Sequence, residues 1–149
     1  MQFSVATLLT TLLATSALAA PAPAPEVKSM ATSTTWTIEG VKRVCDSADT
    51  SCAWTFTINA AGAKTAAAFT TKKSGSTPAS QAPNTGSTSG PYRITSGWSG
   101  QFGPGQGFTT LSVVNQSKKQ IAWPAYTDKQ LAGGKVVKPD QSYPVQALP

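Results

Sequence analysis

Residues 52–59 read CAWTFTIN, and this stretch decides the fold class. Its Cys, Trp, Phe and Ile side chains alternate with small or polar ones, which is the period-two pattern of a strand that buries one face. Residues 35–39, TWTIE, alternate in the same way until Gly40 interrupts the pattern. A glycine within a strand is typical of a β-bulge, which here moves the inward face from Ile38 to Val41. The two runs together predict an antiparallel hairpin.

Further strand patterns follow toward the C-terminus. Residues 92–102 place Tyr, Ile, Trp and Phe on one parity, and residues 108–114 are rich in β-branched and aromatic side chains. Residues 74–90 are dominated by Ser, Thr, Pro, Gly, Asn and Gln, which offer no apolar face and predict a long mobile loop. The best helix signal covers residues 127–132, one or two turns that Thr127 can cap. We therefore predict an all-β fold, a small antiparallel β-barrel or sandwich with at most one short helix.

The N-terminus has the pattern of a secretory signal peptide. Residues 1–19 contain a run of apolar side chains without a charged one, and they end in the small–x–small motif ALA. The run is too short to span about 30 Å of hydrocarbon, so we expect cleavage after residue 19 and no stable membrane insertion. Residues 20–33 are rich in Pro and Ala and predict a flexible tail. The expected product is a secreted, extracellular chain with a single β-rich domain over residues 34–149.

The two cysteines fit an exported chain. Cys45 and Cys52 form an even count with one possible pairing, which predicts a disulfide. A metal site would need more cysteines or histidines, and the sequence contains no histidine. Closing so short a loop contributes about 2.5 kcal/mol in the chain-entropy model. The pair is therefore interpreted as a structural staple across the hairpin turn.

The charge balance is basic, with 12 Lys and Arg against 6 Asp and Glu. The lysines are scattered singly or in pairs, as at 72–73 and 118–119, and no run of five to eight basic residues occurs. We therefore expect no nucleic-acid partner. A weak attraction to anionic cell-wall or membrane surfaces stays open.

The inventory of catalytic side chains is poor. Without histidine, Ser–His–Asp and Cys–His arrangements are excluded. Glu39 and Asp128 would serve as a glycosidase pair only if the fold placed them within about 10 Å of each other. The glycines at 103, 105 and 107 lack the Lys-Ser/Thr of a phosphate loop and predict a turn. We expect no catalytic residue, no metal and no cofactor.

Two further features concern the surface. Asn115 begins an Asn-x-Ser sequon in a predicted turn, which makes it a candidate for N-glycosylation. The chain also has four tryptophans, each on the apolar parity of a separate predicted strand. Tryptophans so placed are expected to pack together as a core, although exposed ones would suit carbohydrate binding. The four are Trp36, Trp54, Trp98 and Trp123.

Four segments carry a more specific signal: 45–52 (CDSADTSC), 92–103 (YRITSGWSGQFG), 107–114 (GFTTLSVV) and 121–130 (IAWPAYTDKQ). Together they resemble fungal small secreted proteins of the hypersensitive response-inducing elicitor family. The resemblance implies a compact β-barrel that is released by a filamentous fungus, is perceived by plants and triggers localised cell death and defence. It implies no catalytic residues, and only the cysteine bridge transfers residue by residue.

One departure from that family concerns a second cysteine pair that its members often hold. The corresponding regions here read AAAF at 66–69 and SGPY at 89–92. Without this second staple, the loop at 74–90 is expected to be looser.

Three hypotheses of function follow. The first is a secreted effector or elicitor that acts through its surface on a plant surface receptor or a cell-wall component. The second is a cell-wall polysaccharide-binding module that uses exposed aromatics and lysines. The third, a small hydrolase, depends on two carboxylates meeting in a cleft.

Overall fold

The computed structural model describes residues 34–149, so the predicted signal peptide at 1–19 and the tail at 20–33 lie outside the described residues. The described chain is mostly β-strand and contains a single short α-helix, α1. Within it, no helix is long and apolar enough to cross a bilayer. The elements are β1 Thr35–Cys45, β2 Ser51–Ala60, β3 Ala63–Lys72, β4 Asn84–Ser89, β5 Tyr92–Ser99, β6 Phe108–Asn115, β7 Gln120–Ala122, β8 Ala125–Thr127, α1 Asp128–Leu131, β9 Gln141–Pro144 and β10 Gln146–Ala147.

The strands form two antiparallel sheets. The first has the order β3-β2-β1-β9, and the second has the order β10-β7-β6-β5-β4, with β8 also pairing with β6. Over residues 34–149 the sheets do not close on each other. The all-β prediction is confirmed, and of the two architectures left open the sandwich is the one observed. The closed barrel that the family resemblance implied is not observed in this part of the chain.

The predicted hairpin is β1 with β2. The register of this pair shifts between Glu39 and Lys42, and Gly40 adopts a φ of 62° in the left-handed region that favours glycine. The bulge turns Val41 inward, where it is 1% exposed. At the far end Cys45 lies directly opposite Cys52, and the two form the predicted disulfide.

The core lies between the two sheets and is rich in aromatic side chains. Trp36 of the first sheet meets Tyr92 of the second edge to face, with ring centroids 5.2 Å apart. Trp54 stacks on Phe69 of the neighbouring strand at 5.4 Å. Such pairs add about 1 kcal/mol each to the gain from burying the rings. Other members of the core are Ile38, Val41, Phe56, Ile58, Ile94, Leu111, Val113, Tyr126, Leu131 and Val137.

The prediction of a loop over residues 74–90 is wrong for residues 84–89, which form β4 and pair with β5. Hydrogen bonds from polar side chains, and not the burial of an apolar face, hold this strand in place. The Asn84 side chain donates to the Ile94 carbonyl at 2.9 Å, and Ser96 accepts from the Asn84 amide. Upstream, Asp49 accepts from the Ser80 amide at 2.8 Å. Hydrogen bonds therefore hold this segment, which contributes few apolar side chains to the core.

Strands β7 and β8 form one interrupted line along β6. Val113 pairs with Ala122 and Thr110 pairs with Ala125, so the register continues unchanged across Pro124. The Pro124 carbonyl still accepts from the Leu111 amide at 2.7 Å, although proline has no N–H to donate in return. The strand thus continues as a pairing surface beyond Pro124.

Candidate functional site: an aromatic shelf on the second sheet

The outward face of the second sheet carries aromatic side chains that the core does not use. Along β6 the inward residues are Thr109, Leu111 and Val113, so Phe108 and Thr110 point outward. Along the β7–β8 line, Ala122 and Pro124 are buried, whereas Trp123 and Ala125, which alternate with them, are exposed.

Trp123 is the first of these exposed residues. The prediction that it packs in the core is wrong: its exposed fraction is 51%, whereas Trp36 and Trp54 are each 2% exposed and Trp98 is partly exposed. The error has a simple cause. The apolar parity at 120–123 is ambiguous because Ile121 and Ala122 are both apolar, and the pairing of Ala122 with Val113 turns Ala122, and not Trp123, inward.

Phe102 is the second exposed aromatic side chain. Parity grouped it with Tyr92 and Trp98, but β5 ends at Ser99 and the loop that follows carries Phe102 outward, where it is 69% exposed. Its ring stacks on Phe108 with centroids 5.7 Å apart. The two rings form one wall of an open depression of about 360 Å³, whose lining also includes Gln106, Ala125, Tyr126 and Thr127.

We call the surface formed by Phe102, Phe108, Ala125 and Trp123 the aromatic shelf. One end of the shelf is Trp123, and the other is the Phe102–Phe108 pair. Phe108 pairs with Thr127, which lies four residues after Trp123, so the two ends are about 13 Å apart along the strand. Small side chains separate the ends. Exposed apolar patches on the surface of a protein mark contact surfaces.

A polar cluster beneath the loop supports the Phe102 end of the shelf. Asp128, the first residue of α1, accepts from Trp98 Nε1 at 2.8 Å and from Arg43 Nη1 at 3.2 Å. The Arg43 guanidinium is buried, donates also to the Ser80 carbonyl at 3.0 Å and lies 5.6 Å from the Trp54 ring centroid. The cluster ties β1, β5 and α1 together at one end of the sandwich.

The predicted helix explains how Asp128 is positioned. Thr127 Oγ1 accepts from the Gln130 amide, and Gln130 Oε1 accepts from the Thr127 amide, which makes a capping box. The Asp128 amide donates to the Gly107 carbonyl at 2.9 Å. Because these contacts fix the backbone on both sides, the carboxylate is aimed at Trp98 and Arg43. The cap is evident in the sequence, whereas these partners lie far away in the chain and leave no signal there.

The structure does not bring Glu39 and Asp128 together. Glu39 faces outward from β1, where its Oε1 accepts from Asn59 at 2.6 Å and its Oε2 from Lys64 at 2.9 Å. Asp128 binds Arg43, which faces inward from the same strand. The two carboxylates therefore lie on opposite faces of the sheet, and the glycosidase pairing proposed from the sequence is wrong.

The cysteine staple also accounts for the one cluster of metal-type ligands in residues 34–149. Sulfur and carboxylate atoms of Cys45, Asp49 and Cys52 lie within 4.8 Å of one another. Both sulfurs are consumed in the disulfide, so no thiolate is free to bind a metal ion.

Asn115, the candidate for glycosylation, lies at the end of β6 and is 3% exposed. Its Oδ1 accepts from Ser117 Oγ at 2.8 Å and from the Lys118 amide at 3.1 Å, so the side chain closes the β6–β7 turn. A glycan on this side chain would have to leave from a buried position. Glycosylation stays a prediction, and the burial of Asn115 argues against it in the folded chain.

Acid is expected to destabilise the domain, since hydrogen bonds lower the pKa of three carboxylates. The Asn59 amide lowers the pKa of Glu39, the Thr50 hydroxyl that of Asp46, and the Gly40 amide that of Asp140. A carboxylate whose pKa is lower in the folded state than in the unfolded state stabilises the fold. This stabilisation is complete above the pKa of the unfolded state and is lost as pH falls through the pKa of the folded state. The midpoint of urea unfolding should be constant from about pH 7 to 5 and fall below about pH 4.

The matched control for this prediction is Asp140→Asn, which removes one of the three titrating groups. Its urea midpoint should depend less steeply on pH than that of the wild type. A wild-type midpoint that is unchanged at about pH 3 would contradict the prediction.

Comparison with known proteins places this arrangement in a family. A family model described as Effector TSP1 matches residues 37–148, which include the aromatic shelf and the cluster around Asp128. A protein of Hypocrea virens (strain Gv29-8 / FGSC 10586) named Effector TSP1 is 52% identical over 144 residues, 96% of this chain and 97% of the relative. The resemblance to fungal effectors is thereby confirmed at the level of the family. A match of this length and identity means that the chain belongs to the Effector TSP1 family of fungal effectors.

Proposed function

We propose that the protein is secreted by the fungus, meets the plant host outside the cell and triggers hypersensitive cell death and defence. Membership of an effector family supports action on a host, and the signal-peptide pattern of residues 1–19 supports release. The elicitor activity itself is supported by the sequence resemblance described above. Recognition then takes place on the surface of the folded domain.

The observation that carries the proposed site is the exposure of Trp123 and Phe102 on one outward sheet face. Leaving such rings in water gives up the stabilisation that burial would supply, about 2 kcal/mol for each side chain. Aromatic side chains, Trp above all, are enriched among the residues that dominate binding at interfaces. The aromatic shelf is therefore the surface with which the effector contacts its host component.

Leaf infiltration with purified, disulfide-bonded protein tests this function. The wild type should give localised cell death or a defence burst, and the Trp123→Ser/Phe102→Ser variant should need at least about tenfold more protein for the same response. Neither side chain belongs to the core, so the variant should stay folded, which a thermal melt verifies.

The matched control removes two exposed apolar side chains outside the shelf, Val44 at 46% and Val136 at 44% exposure. The Val44→Ser/Val136→Ser variant should act like the wild type. No response to the wild type across several plant hosts would refute the elicitor function. A full response to the shelf variant would refute the site.

A further inference from the structure

The acidic side chains of residues 34–149 are all engaged within the molecule. Glu39 binds Lys64 at 2.9 Å, Asp128 binds Arg43 at 3.2 Å and Asp140 binds Lys138 at 3.3 Å. Asp46 accepts from the Thr50 amide and hydroxyl, and Asp49 accepts from the Ser80 amide and hydroxyl. None of these carboxylates lies on the aromatic shelf, and the remaining Lys and Arg side chains of this part of the chain have no acidic partner. The surface therefore offers unbalanced positive charge to a partner.

Two of these cations lie beyond the Trp123 end of the shelf. Lys118 and Lys119 are exposed in the β6–β7 turn, and Trp123 follows Lys119 by four residues, about 13 Å of extended chain. Arg93 is exposed on the same outward face, but its guanidinium turns toward β4, where Nη2 donates to the Thr85 carbonyl at 3.3 Å. Positive charge thus lies at the turn that leads into the strand line of the exposed indole.

The floor between the two aromatic ends is shallow and hydroxylated. Thr110 and Ser112 point outward from β6 and are half-buried. Gly97, which pairs with Thr110, presents no side chain, and nothing lies within 4 Å of the position that its Cβ would take. An extended chain can therefore lie flat along this face and exchange hydrogen bonds with the hydroxyl groups.

We propose that the aromatic shelf, with Lys118 and Lys119 beyond its Trp123 end, binds an acidic polysaccharide built of uronic acid residues. The apolar C–H faces of sugar rings stack on Trp123 and on the Phe102–Phe108 pair. The uronate carboxylates pair with the ammonium groups of the two lysines through charge-assisted hydrogen bonds. The inference rests on the shelf being the contact surface of the proposed function, and it adds the chemistry of the partner.

Binding to polygalacturonate tests the inference, with fully methyl-esterified pectin as the neutral polymer of the same sugar. The wild type should bind polygalacturonate at least about tenfold more tightly than the esterified polymer, and binding should weaken as salt rises. Trp123→Ala should weaken binding about tenfold through lost stacking. Lys118→Gln/Lys119→Gln should weaken it by a similar factor through lost ion pairs.

The matched control is Lys72→Gln/Lys73→Gln, which removes the same charge at the end of β3 on the other sheet. This variant should bind like the wild type. An equal loss in both lysine variants would mean attraction by net charge alone and would overturn the inference. Equal affinity for the esterified polymer, for single-stranded DNA or for phosphatidylserine vesicles would overturn the uronate assignment.

The two proposals fail separately. If the wild type kills leaf tissue but does not bind polygalacturonate, the ligand assignment is wrong and the elicitor function stands. If it binds polygalacturonate with the expected variant pattern but leaves are unaffected, the ligand stands and the elicitor function is wrong.

Discussion

Replacing Asp128 by alanine is expected to lower the free energy of unfolding by about 3 kcal/mol and the melting temperature by about 10 °C. The substitution leaves the buried Arg43 guanidinium without a counter-charge and takes from Trp98 Nε1 its hydrogen-bond acceptor. Removing one member of a buried pair costs more than the pair contributes, since the remaining charge stays desolvated. The expected loss lies at the lower end of what breaking a buried ion pair costs, because the Asp128 side chain is 32% exposed.

Urea unfolding monitored by circular dichroism measures this loss, and a double variant separates charge from packing. Arg43→Met/Asp128→Asn removes both charges together, and the introduced amide oxygen can still accept from Trp98, so most of the stability should return. Asp140→Ala, which breaks an exposed pair with Lys138, should cost much less than Asp128→Ala. An Asp128→Ala variant that unfolds at the wild-type urea concentration would show that Arg43 does not depend on this carboxylate.

Gly107→Ala is the second substitution with a large expected effect, a loss of about 2 kcal/mol. A Cβ at this position would meet the Asp128 carboxylate and would lie 2.7 Å from Trp98 Cζ2 and 2.8 Å from Trp98 Nε1. Trp98 and Asp128 are hydrogen-bonded to each other, so neither side chain can move away from the new Cβ without breaking that bond. The loop that carries Phe102 should loosen as well, and Trp98 should change its fluorescence.

Gly97→Ala is the matched control for this substitution. Gly97 lies in β5, no heavy atom is within 4 Å of its Cβ position, and its φ is not in the left-handed region. Stability should stay within about 0.5 kcal/mol of the wild type. If Gly107→Ala and Gly97→Ala have the same melting temperature, the close packing around Trp98 contributes nothing measurable.

The strongest sequence predictions were those that depend on neighbours in the chain. The alternation at 52–59 predicted β2, and the alternation at 35–39 predicted β1. Gly40 predicted the bulge within β1. These predictions are confirmed because a strand with one buried face has a period of two wherever it lies in a fold. The capping box at Thr127 is confirmed for a similar reason, since both of its partners lie within four residues.

The predictions that failed depended on distant partners. The parity of apolar residues cannot say which face of a short strand is inward, and the register with Val113 decided that Trp123 is outside. Residues 84–89 have no hydrophobic pattern at all, and they form β4 because the edge of β5 offers unpaired backbone groups. Both outcomes require knowledge of the neighbouring strand.

By itself, then, the sequence determined an all-β chain with a stapled hairpin and without the histidine that whole classes of catalytic site need. The tertiary structure alone decided which aromatics are exposed and which carboxylate meets Arg43, a residue 85 positions from Asp128. The physical reason is the range of the forces involved. Backbone periodicity and capping act within a few residues, whereas burial and ion pairing depend on which surfaces the two sheets press together.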